Sequence, residues 1–507
     1  MIVRKMQWYV AAALLSMAGG AVAQQSLSLQ DAASRAVLTN PEVLSKWHTF
    51  DAAAYERNVS FGGYWPTLDA VGAVGRTRLN DPLDSTATRF NYDNVSLVLR
   101  QMLFDGFATS SDVKRLDHAR RVRYFELLDV SESAALEAVR AYQDVLRYQK
   151  LLEYAEDNYA QHKLVYDQIS ERTKSGVSRG VDLETANGRL ALAESNLLVD
   201  TANLHDVSAR FQRIVGAKPG NLVEQPKPLS ANLPATPIDG LKKALDNSPQ
   251  LLASMENIQA AMADVEVRRS AYLPRLDFRL QHDRGENLGG ILGRNENSTA
   301  ELTMRFNLFN GKRDESRINQ YAQNVNVAKD LRDKVCRDIR QTLLIALNDV
   351  GKLREQVNYL DQHQLATDKA RQAFRNQFEL GQRTLLDLLD TENEYFQSRR
   401  AFTNGERDLD IAYARVHAAS GALLQALEIK SVEPNAPREV EAKGDDVLAR
   451  CPTEAVDALA VDKAKAVEKA LRLRPARPAA APTPVIKPAA AVVPAPAPAR
   501  PAKQDRE

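Results

Sequence analysis

The feature that most constrains this chain is that it states one plan twice. "GGYWPTLD" at 62–69 is answered by "SAYLPRLD" at 270–277, an offset of 208, and "LRQMLFDG" at 99–106 by "MRFNLFNG" at 304–311, an offset of 205. The second offset persists, so that Gly176 matches Gly381, Asp182 matches Asp387 and Gly216 matches Gly421. Self-similarity over such a period governs the architecture before any single residue does. The first repeat is assigned to 24–216 and the second to 238–425, with a linker at 217–237 and a C-terminal extension at 426–507.

Each repeat reads as a helix, two strands, a very long helix, a glycine turn and another long helix. The opening helices, near 27–60 and 236–269, carry "TNPEV" and "NSPQL", where a proline early in a helix is well placed. From about 109 to 175 there is neither proline nor glycine. Helical throughout, that stretch is on the order of 100 Å long. Such a helix needs partners along its length, and the periodicity provides them. Ala138, Tyr142, Val145 and Leu152 follow a 4-3-7 spacing, repeated by Leu343, Leu347, Val350 and Val357. After the glycine turns, Leu190, Leu197, Leu204 and Phe211 fall at sevens, mirrored by Tyr395, Phe402, Leu409 and Val416. These are coiled-coil seams.

The strands carry the membrane signal. In "STAELTMRFNLF" at 298–309, Ala300, Leu302, Met304, Phe306 and Leu308 share one face and polar residues share the other. Leu276, Phe278 and Leu280, and in the first repeat Val95, Leu97 and Leu99, alternate likewise. One apolar and one polar face fits a barrel wall between lipid and water, although a soluble antiparallel sheet alternates in the same way. Each chain offers four strands, open sheet edges are not tolerated in hydrocarbon, and known barrels start at about eight strands. Closure therefore demands an oligomer. Residues 1–23 read as a secretory signal, with Arg4 and Lys5, an apolar run, and Ala21-Val22-Ala23 before Gln24. Beyond them no uninterrupted apolar stretch approaches the ~18 to 20 residues of a spanning helix.

The doubled plan, the "YWPTLD/YLPRLD" lead-in to each hairpin, the "LFDG/LFNG" exit and "GQRTLLDLLDTENEY" at 381–395 together resemble the TolC family of outer-membrane channel proteins, over about residues 27–425. The resemblance implies an α+β fold. A membrane β-barrel of four strands per chain is completed by a homotrimer and continued by a long periplasmic α-helical coiled-coil barrel, in the cell outer membrane and extending into the periplasm. It implies the exit duct of a tripartite export machine, with a periplasmic adaptor (membrane fusion protein) and an inner-membrane ABC transporter or pump as partners. "RGVDLETANGRLALAESNLLVDTANLHDVSARFQRIVG" at 179–216 is most similar to channels of type I protein secretion, which makes the cargo an exported protein such as a large adhesin or RTX-like protein. Two alternatives stand beside it: the outer-membrane factor of a multidrug efflux pump, and, in a different class, a structural periplasmic coiled-coil protein.

The same resemblance carries roles onto single positions. Asp387 and Asp390 match acids that line the periplasmic tunnel entrance, with Asp182 at the related place in the first repeat. Arg383 matches an arginine that ties the closed entrance together. The turns at Gly176 and Gly381 match the helix-turn tips that an adaptor grips. Around a threefold axis each acid becomes a ring that favours cations. A local account of Asp387 coexists with this, since Thr384 can cap the following helix and Asp387 sits in its first turn.

Catalysis finds no motif. The seven histidines are scattered, without H-E-x-x-H or paired metal spacing, and "LGGILG" at 288–293 falls in a hairpin loop and lacks the ending of a phosphate loop. No cofactor or metal is expected, and a net charge of +1 gives no sign of nucleic acid. Cys336 and Cys451 are able to pair in an oxidising compartment, but two isolated thiols is the reading preferred here. The extension from about 430 is expected on the periplasmic side. Its proline- and alanine-rich run at 475–503 favours extended, solvated chain.

Overall fold

Ser28 opens the first helix. Its hydroxyl accepts the Asp31 N–H at 3.1 Å while the Asp31 carboxylate accepts from Ser28, a capping box that starts α1 (Leu29–Thr39). Asn40 ends that helix in extended conformation (ψ 127°), because the residue before a proline is excluded from the helical region. Pro41 then begins α2 (Pro41–Phe61). The second repeat does the same at Ser248, which separates α5 (Pro237–Asn247) from α6 (Pro249–Arg269). The single opening helix expected at 27–60 and at 236–269 is thus two helices in each repeat. The computed structural model describes residues 27–79, 88–220, 222, 229–288, 291–433, 451 and 462–472. The signal segment at 1–23 and the proline- and alanine-rich run at 475–503 lie outside the described residues.

Four strands form one antiparallel sheet in the order β1 (Thr67–Leu79), β2 (Thr88–Phe104), β3 (Arg275–Glu286), β4 (Arg294–Arg305). Register decides which side chains share a face. Leu68, Leu99, Leu280 and Ala300 lie in one row across all four strands, and Phe278 faces Leu302 while Leu276 faces Met304. Among the described residues nothing covers that face: Leu302 is 62% and Met304 66% exposed. Phe306 and Leu308, expected to extend it, lie beyond the end of β4. The other face is polar, with Arg279 bonded to Glu301 at 3.2 Å and Gln281 to Asp283 at 2.8 Å. Among the described residues nothing pairs with the outer edges of β1 and β4.

Two long hairpins follow the strands. α3 (Ala108–Lys174) and α7 (Arg313–Glu379) each run 67 residues, and α4 (Gly180–Val215) and α8 (Leu385–Ala419) return antiparallel beside them. At ~1.5 Å per residue the long helices span about 100 Å. α2 and α6 also pack on α3, and α6 reaches α7 as well. α4 and α8 also pack on α3, with α8 lodged between α3 and α7. Ala138, Tyr142 and Val145 are buried as their spacing requires, but Leu151 takes the fully buried place expected of Leu152.

On α4 the fully buried row is Ala186, Ala193, Asp200, Val207 and Ile214, again at sevens. Phe211 of the predicted seam is fully buried, but Leu190, Leu197 and Leu204 are half-buried, because one flank of α4 has no neighbour among the described residues. The matching row on α8 is Thr391, Ser398, Gly405 and Ala412. Small residues there let α8 sit close to α7: a Cβ on Gly405 would lie 2.9 Å from Leu360 Cδ1.

The end of the second repeat closes on the first. α9 (Leu423–Ala426) buries Leu423 and Leu424 among Val139, Tyr142 and Phe211. The Glu132 carboxylate of α3 accepts the Leu423 N–H at 3.0 Å and the Leu424 N–H at 3.4 Å. Farther on, Cys451 is buried and bonded to Cys336 of α7 as a disulfide. The preferred reading of two isolated thiols is corrected: Cys451 is buried in one cluster with Leu241, Leu245, Ile339 and Leu343, with its Cα 5.4 Å from that of Cys336 across 115 residues of sequence. The helix Lys463–Arg472 (α10) belongs to a separate unit.

Glu132 makes a testable point. Burial pushes its carboxyl from 4.5 up to about 7, against the pull of the Leu424 and Leu423 amides, and Asp129 pushes it further. Between those two values the folded chain holds a proton that the unfolded chain has released, so stability falls as pH rises through that window. Replacement Glu132→Gln should flatten the fall, which otherwise approaches ~1.4 kcal/mol per pH unit at most. Urea unfolding between about pH 5 and pH 7 measures it. An unchanged slope would place the titrating group elsewhere.

Candidate functional site

The far ends of the two hairpins are built alike. α3 ends at Lys174, Gly176 turns the chain with φ +77°, and the Val177 and Ser178 amides bond back to the Arg172 carbonyl at 2.8 and 3.1 Å. α7 ends at Glu379, Gly381 turns with φ +74°, and the Gln382 amide bonds to the Gln377 carbonyl at 2.8 Å. Both glycines occupy the left-handed region, where a side chain costs about 1 kcal/mol or more. The next helix starts at once in each case. Ile169, Phe378, Leu385, Leu388 and Leu389 pack the two ends together, while Val177, Val181, Leu380 and Leu386 stand exposed.

Asp387 is the third residue of α8 and closes a capping box with Thr384. Its carboxylate accepts the Thr384 hydroxyl at 2.8 Å and the Thr384 N–H at 3.2 Å, and the Thr384 oxygen accepts the Asp387 N–H at 3.2 Å. The Thr384 hydroxyl, then its amide, and at longer range Arg383 hold the Asp387 carboxyl below its usual range. It is therefore ionised throughout neutral pH. Asp182 holds the same position on α4, where it accepts the Arg179 N–H at 3.3 Å and lies 3.5 Å from the Arg179 guanidinium.

Asp390, one turn further, has a different partner. Arg189 of α4 donates from Nη2 to Asp390 Oδ1, an ion pair between the two hairpins. Arg383 donates to Gln377 at 3.0 Å and stacks 4.3 Å from the Phe374 ring, so within the chain it turns back on its own hairpin. The structure thus joins Asp387 to Thr384 and Asp390 to Arg189, and brings no hydrogen bond between Arg383 and either acid.

Above this lies a ladder of charge that sequence reasoning missed. Glu392 is buried and receives Arg375 at 2.6 Å, with Arg371 at 3.6 Å. Arg375 also donates to Gln161 of α3 at 2.8 Å. Arg399 reaches Asp157 at 3.1 Å and lies 3.7 Å from the Tyr154 ring. Asp200, 1% exposed, accepts hydrogen bonds from both terminal guanidinium nitrogens of Arg400, that from Nη2 at 3.1 Å. A signal for that last pair existed: an acid inside an otherwise apolar row at sevens must be paired. Among the described residues no three metal-binding side chains cluster, and no helix is long and apolar enough to cross a membrane.

Comparison with known proteins accords with this geometry. The model of the family described as outer membrane efflux protein matches residues 32–217 and 240–422. The outer membrane protein TolC of Escherichia coli (strain K12) is 21% identical over 433 residues, covering 81% of this chain and 85% of that protein. The alkaline protease secretion protein AprF of Pseudomonas aeruginosa is 25% identical over 456 residues, covering 83% of this chain and 90% of that protein. Among solved structures, the Campylobacter jejuni CmeC outer membrane channel superposes with a TM-score of 0.69 at 15% identity, covering 78% of this chain and 86% of that one.

Proposed function

Because the chain belongs to the outer membrane efflux protein family, the channel family of TolC, we propose that it is the exit duct of a tripartite export machine that secretes protein by the type I route. The observation that carries the duct is the four-stranded sheet with one bare apolar face and two unpaired edges. Lipid accepts such a sheet only when it is closed. Three copies joined edge to edge give twelve strands, an even number within the range of membrane barrels. The uncovered flank of α4 calls for the same neighbours along the tunnel.

Two partners follow from the tips and from the absence of any energy-converting motif. A periplasmic adaptor would grip the turns at Gly176 and Gly381, whose exposed Val177, Val181, Leu380 and Leu386 supply apolar contact. An inner-membrane ABC transporter or pump would supply the energy. A protein cargo, such as a large adhesin or RTX-like protein, is favoured by the likeness over most of both chains to AprF, whose name assigns it to alkaline protease secretion. Efflux of small toxic molecules is the second reading, and the family's own description favours it. A structural periplasmic coiled coil has no support from that family.

At the entrance, Asp387 and Asp390 would form cation-sensitive rings, with Asp182 related to them, and Arg383 would belong to the clasp of the closed state.

Three expectations test these readings. Mass measurement in mild detergent should find three chains, and a stable monomer with intact strands would overturn the barrel. Deleting the gene should remove a protein from the culture supernatant and leave drug tolerance nearly unchanged; the reverse pattern would favour efflux. The double replacement Asp387→Ala with Asp390→Ala should weaken cation selectivity and multivalent-ion block in planar bilayers, and Arg383→Ser should raise resting conductance. Unaltered selectivity and block in the double variant would reduce the acids to helix-start residues.

A further inference from the structure

Asp387 and Asp390 are one helical turn apart, yet the fold treats them differently. The Asp387 carboxylate accepts its hydrogen bonds from Thr384 of its own helix start, and the Arg383 charge acts on it only at longer range. Asp390 is met by Arg189 of α4, a residue of the other repeat 201 positions away in sequence. We propose that Arg189 is a built-in counter-charge: it neutralises Asp390 inside each chain and thereby sets how much negative charge the closed entrance presents to a cation. This rests on the reading of the hairpin ends as the channel entrance.

The repeat itself supplies an independent observation. By the offset of 205, Arg189 corresponds to Glu394 and Asp390 to Thr185. In a ring of alternating α3/α4 and α7/α8 hairpins, the contact equivalent to Arg189–Asp390 is the one between Glu394 of one copy and Thr185 of the next. That contact holds no cation. The buried pair behaves alike, since Asp200 corresponds to Gly405 and Arg400 to Ser195. By this correspondence the two charge pairs between α4 and α8 have no like pair at the equivalent positions of the repeat.

α4 and α8 otherwise meet at few positions, and the remaining polar links between the two hairpins run from α3, as in Arg399–Asp157, Arg147–Asp408 and Arg375–Gln161. The α4–α8 pair nearer the tip is half-exposed, and exposed ion pairs contribute little to folding. Its consequence is electrostatic: a charge at a threefold axis counts three times. With Arg189 in place the Asp390 ring is weakened and the Asp387 ring dominates; without it, the Asp390 ring acts at full charge.

The test is Arg189→Gln in the full trimer, in planar bilayers, with hexamminecobalt(III) as the blocking ion. The concentration for half-block should fall by roughly fivefold, the direction and scale expected when three carboxylates are released around one axis. Adding Asp390→Asn should cancel that gain. The proposal is overturned if Arg189→Gln leaves block unchanged while Asp387→Ala with Asp390→Ala abolishes it. It is equally overturned if Arg189→Gln/Asp390→Asn keeps the full gain, since the effect would then not pass through Asp390. Should the double alanine variant block normally, the entrance reading fails first, and the two failures are thereby distinguished. Trimer yield on gels separates any of these from misfolding.

Discussion

An unpaired strand edge is unaffordable in hydrocarbon, where each unsatisfied amide or carbonyl costs several kcal/mol. The sheet of this protein has two such edges, on β1 and on β4, and the rest of the molecule is arranged around that fact. Because the edges need partners, the chain has to assemble. Because it assembles around an axis, its polar sheet face, with Arg279, Glu301, Gln281 and Asp283 linked to one another, encloses water while the leucines face lipid. The helices inherit the same geometry. α3 and α7 begin within a few residues of the strands, after Gly106 and Gly311, and continue the wall downward.

A wall of helices has the opposite problem, because apolar stripes slide. Seams of alanine, serine, threonine and glycine, as on α8, permit close approach but mark no register. Charged residues set into those seams do. Asp200 with Arg400 is satisfied at one alignment of the two hairpins only, and Glu392 with Arg375 and Arg371 at one alignment of α7 with α8. Replacing a buried ion pair by apolar groups is often neutral, whereas leaving one member unpaired is costly. Their contribution is therefore read as specificity of alignment more than as net stability, the use best attested for polar groups in coiled coils.

The repeat, the long helix free of glycine and proline, the glycine turns and the two-faced strands were legible in the sequence because each is a local pattern with a single period. The misses are equally physical. Pro41 and Pro249 were recognised as tolerable near a helix start, but the restriction they impose on Asn40 and Ser248 breaks one helix into two. β4 stops at Arg305 although apolar alternation runs on through Leu308, since alternation reports a face and not the end of pairing. Leu151 displaces Leu152 because α3 has neighbours on several sides. Cys336 and Cys451 are 115 residues apart, and Arg189 and Asp390 201; nothing local announces a partner at such range. Asp200 was the exception, an acid in an apolar row whose need for a cation could have been stated in advance.

The equal length of α3 and α7, 67 residues each, places a constraint on how such a chain can change over time. Adding one heptad to either helix lowers its turn by about 10 Å and leaves the other turn behind. Insertions and deletions in one repeat are therefore tolerable only when matched in the other and compensated again in α4 and α8. The loops and the region after the second repeat lie outside that coupling. Divergence in length should collect there, while the depth of the tunnel stays tied to a count that two halves of one gene must keep in step.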